Sequence, residues 1–364
     1  MGAIPVVAVA LMVLFVPGLI AALILRVPWL IALAVSPGLS TTAIIIISVI
    51  SSALGVPWGA LPLIAGVLAV WLLAAGIGAL LSRHAPREES SPLPIAVLAV
   101  TVIAAVAVAF VLVPVSQTPE AFPQHPDTIY HLGASQWMVE HSDASVFHVQ
   151  DFLSLSGTGF YPAAFHVMAA TIARVNGASV VVATSSFVLV IAGVVWPIGC
   201  VFLARTLFGP DPSVTLSAGV ASVAFSAYPF KLMGFGVLWP NLFGATLIPA
   251  ALALLALALS AAHRQFPPLT SRLRATLLLL ASLPGLASGP PERLRHLPAV
   301  RLPDDGGHRA QQGMGDTAPP LGGGGDGRRP GHGHGTGRRR LHLQQRQGQQ
   351  HVRGGRTRPG ALPW

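Results

Sequence analysis

An all-α bundle of membrane-spanning helices is what this sequence predicts, and three observations carry that prediction. Of its 364 residues, 52% are hydrophobic and only 10% are charged, against about 25% charged in soluble domains. The mean hydropathy is +0.66. Seven stretches of roughly 20 apolar residues follow one another along the chain, each long enough at ~1.5 Å per residue to cross ~30 Å of hydrocarbon. This composition excludes an ordinary cytosolic enzyme. A single cysteine, Cys200, rules out an internal disulfide and any cysteine-built zinc site.

The expected spans are Ala3–Leu25, Trp29–Ala53, Gly59–Leu81, Ile95–Val115, Val180–Leu203, Ser213–Phe230 and Leu242–Ala262. An eighth, Leu277–Ala287, begins and is cut short. The first lacks a basic leading segment and reads as a retained helix, not a cleaved signal. Pro17, Gly18, Pro37 and Gly38 fall inside spans, where neighbouring helices accommodate them. The resulting organisation is four helices over 1–115, an extracytoplasmic loop with an interfacial helix over 116–176, further spans over 177–288, and a tail over 289–364. Arg26, Arg83, Arg87, Arg205, Arg264, Arg272 and Arg274 all fall on one side if the N-terminus and loop 116–156 face outward. The positive-inside rule makes the arginine side cytoplasmic. The assignment needs residues 157–176, interrupted by Tyr161, His166 and Arg174, not to cross; they read as an interfacial or re-entrant segment.

Charge divides the chain in two. Residues 1–280 hold nine Lys/Arg and eight Asp/Glu, whereas residues 281–364 hold thirteen Arg and five Asp/Glu. The latter stretch also has 19 of the 38 glycines and no Phe, Tyr, Ile, Asn or Lys. Residues with AT-rich codons are the ones missing, as expected of a GC-rich gene read out of frame. With synonymous codons chosen for Gly289–Gly307, a one-base shift reads as an apolar helix preceded by a His-Pro-Asn turn, which would continue the interrupted span. The tail is therefore expected to be out-of-frame and disordered, with too few apolar residues for a core. A genuine basic tail, offering His332, His334 and Arg338–Arg340 to polyanions by charge alone, is the competing reading; no specific nucleic-acid partner is expected. Sequencing the gene tests this: a long alternative frame downstream of residue 289 is expected, and its absence refutes the frameshift.

The polar residues gather on the outward-facing side. Loop 116–156 has no Lys or Arg and contains His125, Asp127, His131, Glu140, His141, Asp143, His148 and Asp151. Pro126 suits the first turn of a helix and Asp127 the positive end of its dipole. Asp127 and His131, four apart, then share a face. Such a carboxylate serves as a general base toward a sugar hydroxyl, binds a divalent cation with His125 and His131, or caps the helix. In the segment Tyr161-Pro162-Ala163-Ala164-Phe165-His166, Tyr161 suits the membrane boundary. His166 requires a hydrogen-bond partner, which loop carboxylates are placed to supply. Between the sixth and seventh spans stand Lys231, the only lysine, positioned for a lipid phosphate or for snorkelling, then Trp239 as an interface anchor and Asn241 as a cap.

With Asp127-x-x-x-His131, Tyr161-Pro162-x-x-x-His166 and Trp239-Pro240-Asn241, the chain resembles an uncharacterised actinobacterial family of multi-span proteins related to the C-type (GT-C) glycosyltransferases, over roughly residues 90–290. The resemblance implies transfer of a sugar from a polyprenyl-phosphate donor to a cell-envelope acceptor at the outer face of the plasma membrane. It makes Asp127 the acid–base or metal-binding carboxylate, with His131 and His166 in support. Lys231, Tyr161, Trp239 and Asn241 are the candidate substrate contacts, and His125, Asp127 and His131 the candidate ligands of a divalent cation. The acidic loop follows the fourth span here, where the superfamily has it after the first, and no Asp-x-Asp pair is present. A non-catalytic membrane scaffold, or a transporter or flippase contacting membrane lipids, is the alternative; the near-absence of ionisable residues inside the spans speaks against an ion-coupled carrier.

Overall fold

The computed structural model describes residues 2–82, 95–153, 161–234, 237–260, 262 and 272–287. The tail 289–364, Arg83, Arg87 and Arg264 lie outside these residues. Among the described residues the fold is all-helical. Seven helices are long and apolar enough to span a bilayer, so the chain is a multi-pass membrane protein.

The first four spans are α1 (Ala3–Ile24), α2 (Trp29–Ala53), α3 (Ala60–Ser82) and α4 (Ile95–Ser116). Their ends fall within two residues of those expected, because the apolar runs are bounded by Arg26, the Gly55-Val56-Pro57 turn and Gln117. Two shorter helices follow, α5 (Pro126–Glu140) and α6 (Ala164–Asn176). The fifth span runs without a break from Val180 to Phe208, as α7 (Val180–Val190), a π-helical turn Ile191–Val195 and α8 (Trp196–Phe208). It exceeds the expected Val180–Leu203 because Arg205 does not end it. Arg205 is 8% exposed and donates from Nη1 to Thr215 Oγ1 at 2.5 Å, so the last turn accommodates the charge.

The sixth span departs most from expectation. Its helix α9 (Pro212–Ala224) stops at Phe225, whose backbone is extended. A π-helical turn Ala227–Lys231 with a non-helical Tyr228 and the three-residue α10 (Leu232–Gly234) follow. Pro229, preceded by a cis peptide bond, cannot continue a regular helix. The seventh span, α11 (Trp239–Ala258), begins three residues earlier than expected, with Leu238 as its N-cap. Asn241 therefore sits in the first turn and does not cap it. The interrupted eighth span is α12 (Arg272–Ala287), which packs on α2: Gly285 N–H donates to Thr42 Oγ1 at 3.0 Å.

Hydrophobic driving force between helices is absent in lipid, so close packing and internal hydrogen bonds hold the bundle. Buried hydroxyls of Thr41, Thr101, Thr171, Thr206 and Ser282 each donate to the carbonyl four residues back, which satisfies them inside their own helix. At the α1–α2 crossing, Gly18 N–H donates to Ser40 Oγ at 2.8 Å. A Cβ on Gly18 would stand 2.4 Å from the Ser36 carbonyl oxygen and 2.9 Å from Leu39 Cβ.

Two opposite ends of the bundle are chemically distinct. At one end, Leu30 and Val97, near the starts of α2 and α4, cluster with Val201 of α8 and Ala218 of α9, and Arg205 in the last turn of α8 meets Thr215 near the start of α9. Arg26, Arg205 and Arg274 belong to that end. The other end carries the α2–α3 turn, α5, α6 and the start of α11. Trp58 N–H donates to Ser142 O at 2.6 Å, and Arg174 Nη2 donates to Ser142 Oγ at 3.0 Å. Both ends of α6 thus lie beside α5, His166 next to His131 and Arg174 next to Ser142. At 13 residues, α6 is about 20 Å long and does not cross. It is not a surface-lying interfacial helix, however. Ala164 through Ala173 are all buried, with α1, α2, α5, α7 and α11 around them.

Gly18→Ala is expected to lower stability by about 1–3 kcal/mol, the usual cost of overpacking a tight contact. Thermal unfolding of the purified protein in detergent measures it, with Gly76→Ala, whose Cβ meets nothing within 4 Å, as the neutral control.

Candidate functional site

The site grows from two short helices laid side by side. The first, α5, starts where Pro126 predicts, but its cap differs from expectation. His125 is the N-cap, and its Nδ1 accepts from Asp127 N–H at 3.2 Å. Asp127 is freed from capping and stands exposed in the first turn, where the helix dipole favours negative charge. One turn on, His131 is buried, 9% exposed. The second helix, α6, carries His166, which is fully buried. The two imidazoles meet: His131 Nδ1 and His166 Nε2 are 2.9 Å apart. The partner of His166 is therefore a histidine, not a loop carboxylate. The pair couples residues 35 apart in sequence.

Aromatic rings enclose the pair. Tyr130 stands 5.5 Å from His131 and 6.0 Å from His166, centroid to centroid, both edge-on. Tyr161 stands 5.6 Å from His166 and 5.8 Å from Tyr130. Trp239, at the start of α11, lies 6.2 Å from His131 and stacks on Phe165 at 6.0 Å. It is 5% exposed, so it is a wall of this cluster and not an interface anchor. Tyr161, half-buried, is likewise built into the cluster. Lys231 is exposed at the end of the Ala227–Lys231 turn, and Asn241 is half-buried in α11; neither is among the rings around the pair. Sequence reasoning missed Tyr130. Its adjacency to His131 was visible, but its neighbour Tyr161 comes from a segment 31 residues later.

Burial dominates the electrostatics. Loss of water pushes His131 down to about 4, against a smaller upward pull from the Asp127 carboxylate. Burial also holds His166 well below its ordinary value, and His131 lowers it further, against a weak upward pull from the Ala163 carbonyl. That carbonyl does not meet hydrogen-bond geometry with His166 Nδ1, which has no partner. Both rings are therefore neutral at pH 7, sharing one proton between Nδ1 and Nε2. Tyr161 is raised by burial and by donating its hydroxyl hydrogen to Tyr130; Tyr130 is raised by burial. The arrangement is an uncharged, hydrogen-bonded relay with an exposed carboxylate at its edge.

The proposed cation ligands His125, Asp127 and His131 do not converge as a set. His125 uses Nδ1 for its cap, and that atom stands 3.7 Å from Asp127 Oδ2. His131 uses Nδ1 for His166. Among the described residues no three His, Cys, Asp or Glu side chains converge as metal ligands.

A second polar cluster clamps the site to the bundle. Ser52 Oγ, in the last turn of α2, donates to Asp143 Oδ2 at 3.0 Å and stands 3.1 Å from His148 Nδ1. His148 Nδ1 donates to Asp143 Oδ2 at 2.7 Å. A hydrolytic triad has the acid on one ring nitrogen and the hydroxyl on the other. Here both meet the same nitrogen, so the cluster pins the segment after α5 and is not a nucleophile.

The histidine pair makes stability acid-sensitive. A histidine with a depressed folded value binds its proton more readily unfolded, so stability is full above the unfolded value of 6.5 and falls as pH drops toward about 4. The slope is up to about 1.4 kcal/mol per pH unit for each histidine. Thermal unfolding at pH values between 7.5 and 4.5 is expected to show this fall. His131→Asn is expected to flatten it; an unchanged slope in that variant overturns the assignment.

A model of a family of unknown function, DUF6541, matches residues 11–291. The matched stretch includes α5, α6 and every residue of the aromatic and histidine cluster. No curated protein and no solved structure matches the chain. With most of its length covered, the chain belongs to the DUF6541 family of unknown function.

Proposed function

We propose that the cluster around His131 and His166 is the proton-handling centre of a glycosyl transfer at the outer membrane face, from a polyprenyl-phosphate sugar to a hydroxyl acceptor of the cell envelope. The observation that carries this reading is the convergence of Asp127, His131 and His166. Asp127 is close enough to act on His131 by charge, and His131 is hydrogen-bonded to His166. A scaffold has no need of a buried, uncharged imidazole pair beneath an exposed carboxylate. The placement of Arg26, Arg205 and Arg274 at the opposite end supports an outward-facing site through the positive-inside rule, and the GT-C resemblance supports the reaction class.

In this reading the acceptor oxygen attacks the anomeric carbon, and the bond from that carbon to the phosphate oxygen breaks. The electron pair leaves with polyprenyl phosphate, and the acceptor's proton passes to Asp127. His131 stays neutral and orients the acceptor through its free lone pair. This requires donation from His131 Nδ1 to His166 Nε2, the tautomer that also gives His166 an Nδ1–H directed toward the Ala163 carbonyl. Tyr161 supplies flat apolar surface against a sugar face, with Trp239 as the buried wall behind the pair, and Lys231 meets the phosphate. No step passes through a metal.

Asp127→Asn is expected to lower transfer from polyprenyl-phosphate sugars by about 10²- to 10⁴-fold, the usual contribution of a positioned base, with the fold intact by thermal unfolding. Lys231→Ala is expected to raise the KM for donor more than it lowers kcat. Unchanged transfer in Asp127→Asn removes the carboxylate from the mechanism.

A further inference from the structure

At the end opposite the histidine pair, a cavity of about 390 Å³ opens between α1, α2, α3 and α12. It lies within the roughly 300–1,000 Å³ range of ligand pockets. Its walls are almost wholly apolar, among them Leu39, Val70, Leu73, Ile77 and Leu277. Thr42 also lines it, but its hydroxyl is engaged with Gly285 N–H. The exception is Arg274, on the first turn of α12, which lines the cavity while only 7% exposed.

Arg274 is unusual among the buried charges of the bundle. Arg205 is equally buried but has Thr215 and the nearby Asp211. Among the described residues, Arg274 has neither a hydrogen-bond partner nor an ion pair, and no Asp or Glu lines its cavity. A guanidinium lining apolar walls with no carboxylate among them favours an anionic partner. It also presents a planar fork of donors that matches a phosphate bidentately. An occupant that matches both the apolar walls and the guanidinium carries an anionic phosphate on an apolar chain. The arginine-bearing end is the one the positive-inside rule assigns to the cytoplasm, where anionic lipids lie at the membrane surface.

We propose that this cavity is a binding site for one anionic phospholipid, its phosphate paired with Arg274 and an acyl chain held between α1, α2, α3 and α12. The site is separate from the histidine cluster and does not depend on the transferase reading.

The test is native mass spectrometry of the purified full chain, titrated with phosphatidylglycerol and with phosphatidylcholine of matched acyl chains. The wild-type protein is expected to retain one phosphatidylglycerol, about tenfold more tightly than phosphatidylcholine, as a charge-assisted pair predicts. Arg274→Gln is expected to abolish that preference while leaving phosphatidylcholine binding unchanged, and Arg274→Lys to keep most of it. Ala281→Trp, which fills the cavity from α12, is expected to weaken both lipids together. The proposal is overturned if Arg274→Gln keeps the wild-type preference, if Ala281→Trp leaves retention unchanged, or if inorganic phosphate in excess displaces the lipid. The last outcome would make a free anion the ligand. Should Arg274→Gln fail to fold, the lysine and tryptophan variants decide between the same outcomes.

Discussion

A polar group surrounded by apolar matter must find its partner within the protein, and this constraint organises the whole chain. Helices satisfy the backbone internally wherever lipid surrounds them. Buried serine and threonine hydroxyls turn back onto carbonyls of their own helix. His166, set in the most enclosed of the short helices, has no carboxylate to meet, and its Nε2 is met by His131. The same constraint neutralises both imidazoles, since a charge on either would have to be borne without water. Thr128 Oγ1, Thr184 Oγ1 and His166 Nδ1, buried without a hydrogen-bond partner, depart from it.

The spans were legible because each is a run of apolar residues of bilayer length bounded by a charge, a proline or a glycine turn. Boundaries failed where a local feature overrode hydropathy. Pro229 and the extended Phe225 end α9 inside an apolar run, whereas Arg205 does not end α8 because Thr215 on the next helix receives it. The helix start at Pro126 was legible, and so was the shared face of Asp127 and His131. The cap was not, since an imidazole nitrogen at N-cap does a task usually given to Ser, Thr, Asn or Asp.

Less of the candidate site could be read, and for a physical reason. Periodicity reports which residues share a helix face, but not which faces of different helices meet. The pairing of His131 with His166, the closure by Trp239 and the role of Tyr130 all depend on α5 lying along α6 and on α11 starting beside both. Trp239 and Tyr161 looked like boundary aromatics because hydropathy cannot tell an aromatic facing headgroups from one facing another ring. The burial of α6 was hidden similarly: a helix too short to cross reads as lying on a surface, while here α1, α2, α5, α7 and α11 enclose it.

The bond from Gly285 to Thr42 joins residues 243 apart, and it bears on how the bundle is assembled. The translocon releases α2 long before α12 exists, so the small-residue face at Gly38 and Thr42 first borders the bilayer itself. The pocket beside it acquires its fourth wall only when α12 is inserted. A molecule resting against α2 during synthesis is then walled in by the arriving helix, so the cavity's occupancy can be decided by the order of biogenesis as well as by equilibrium exchange.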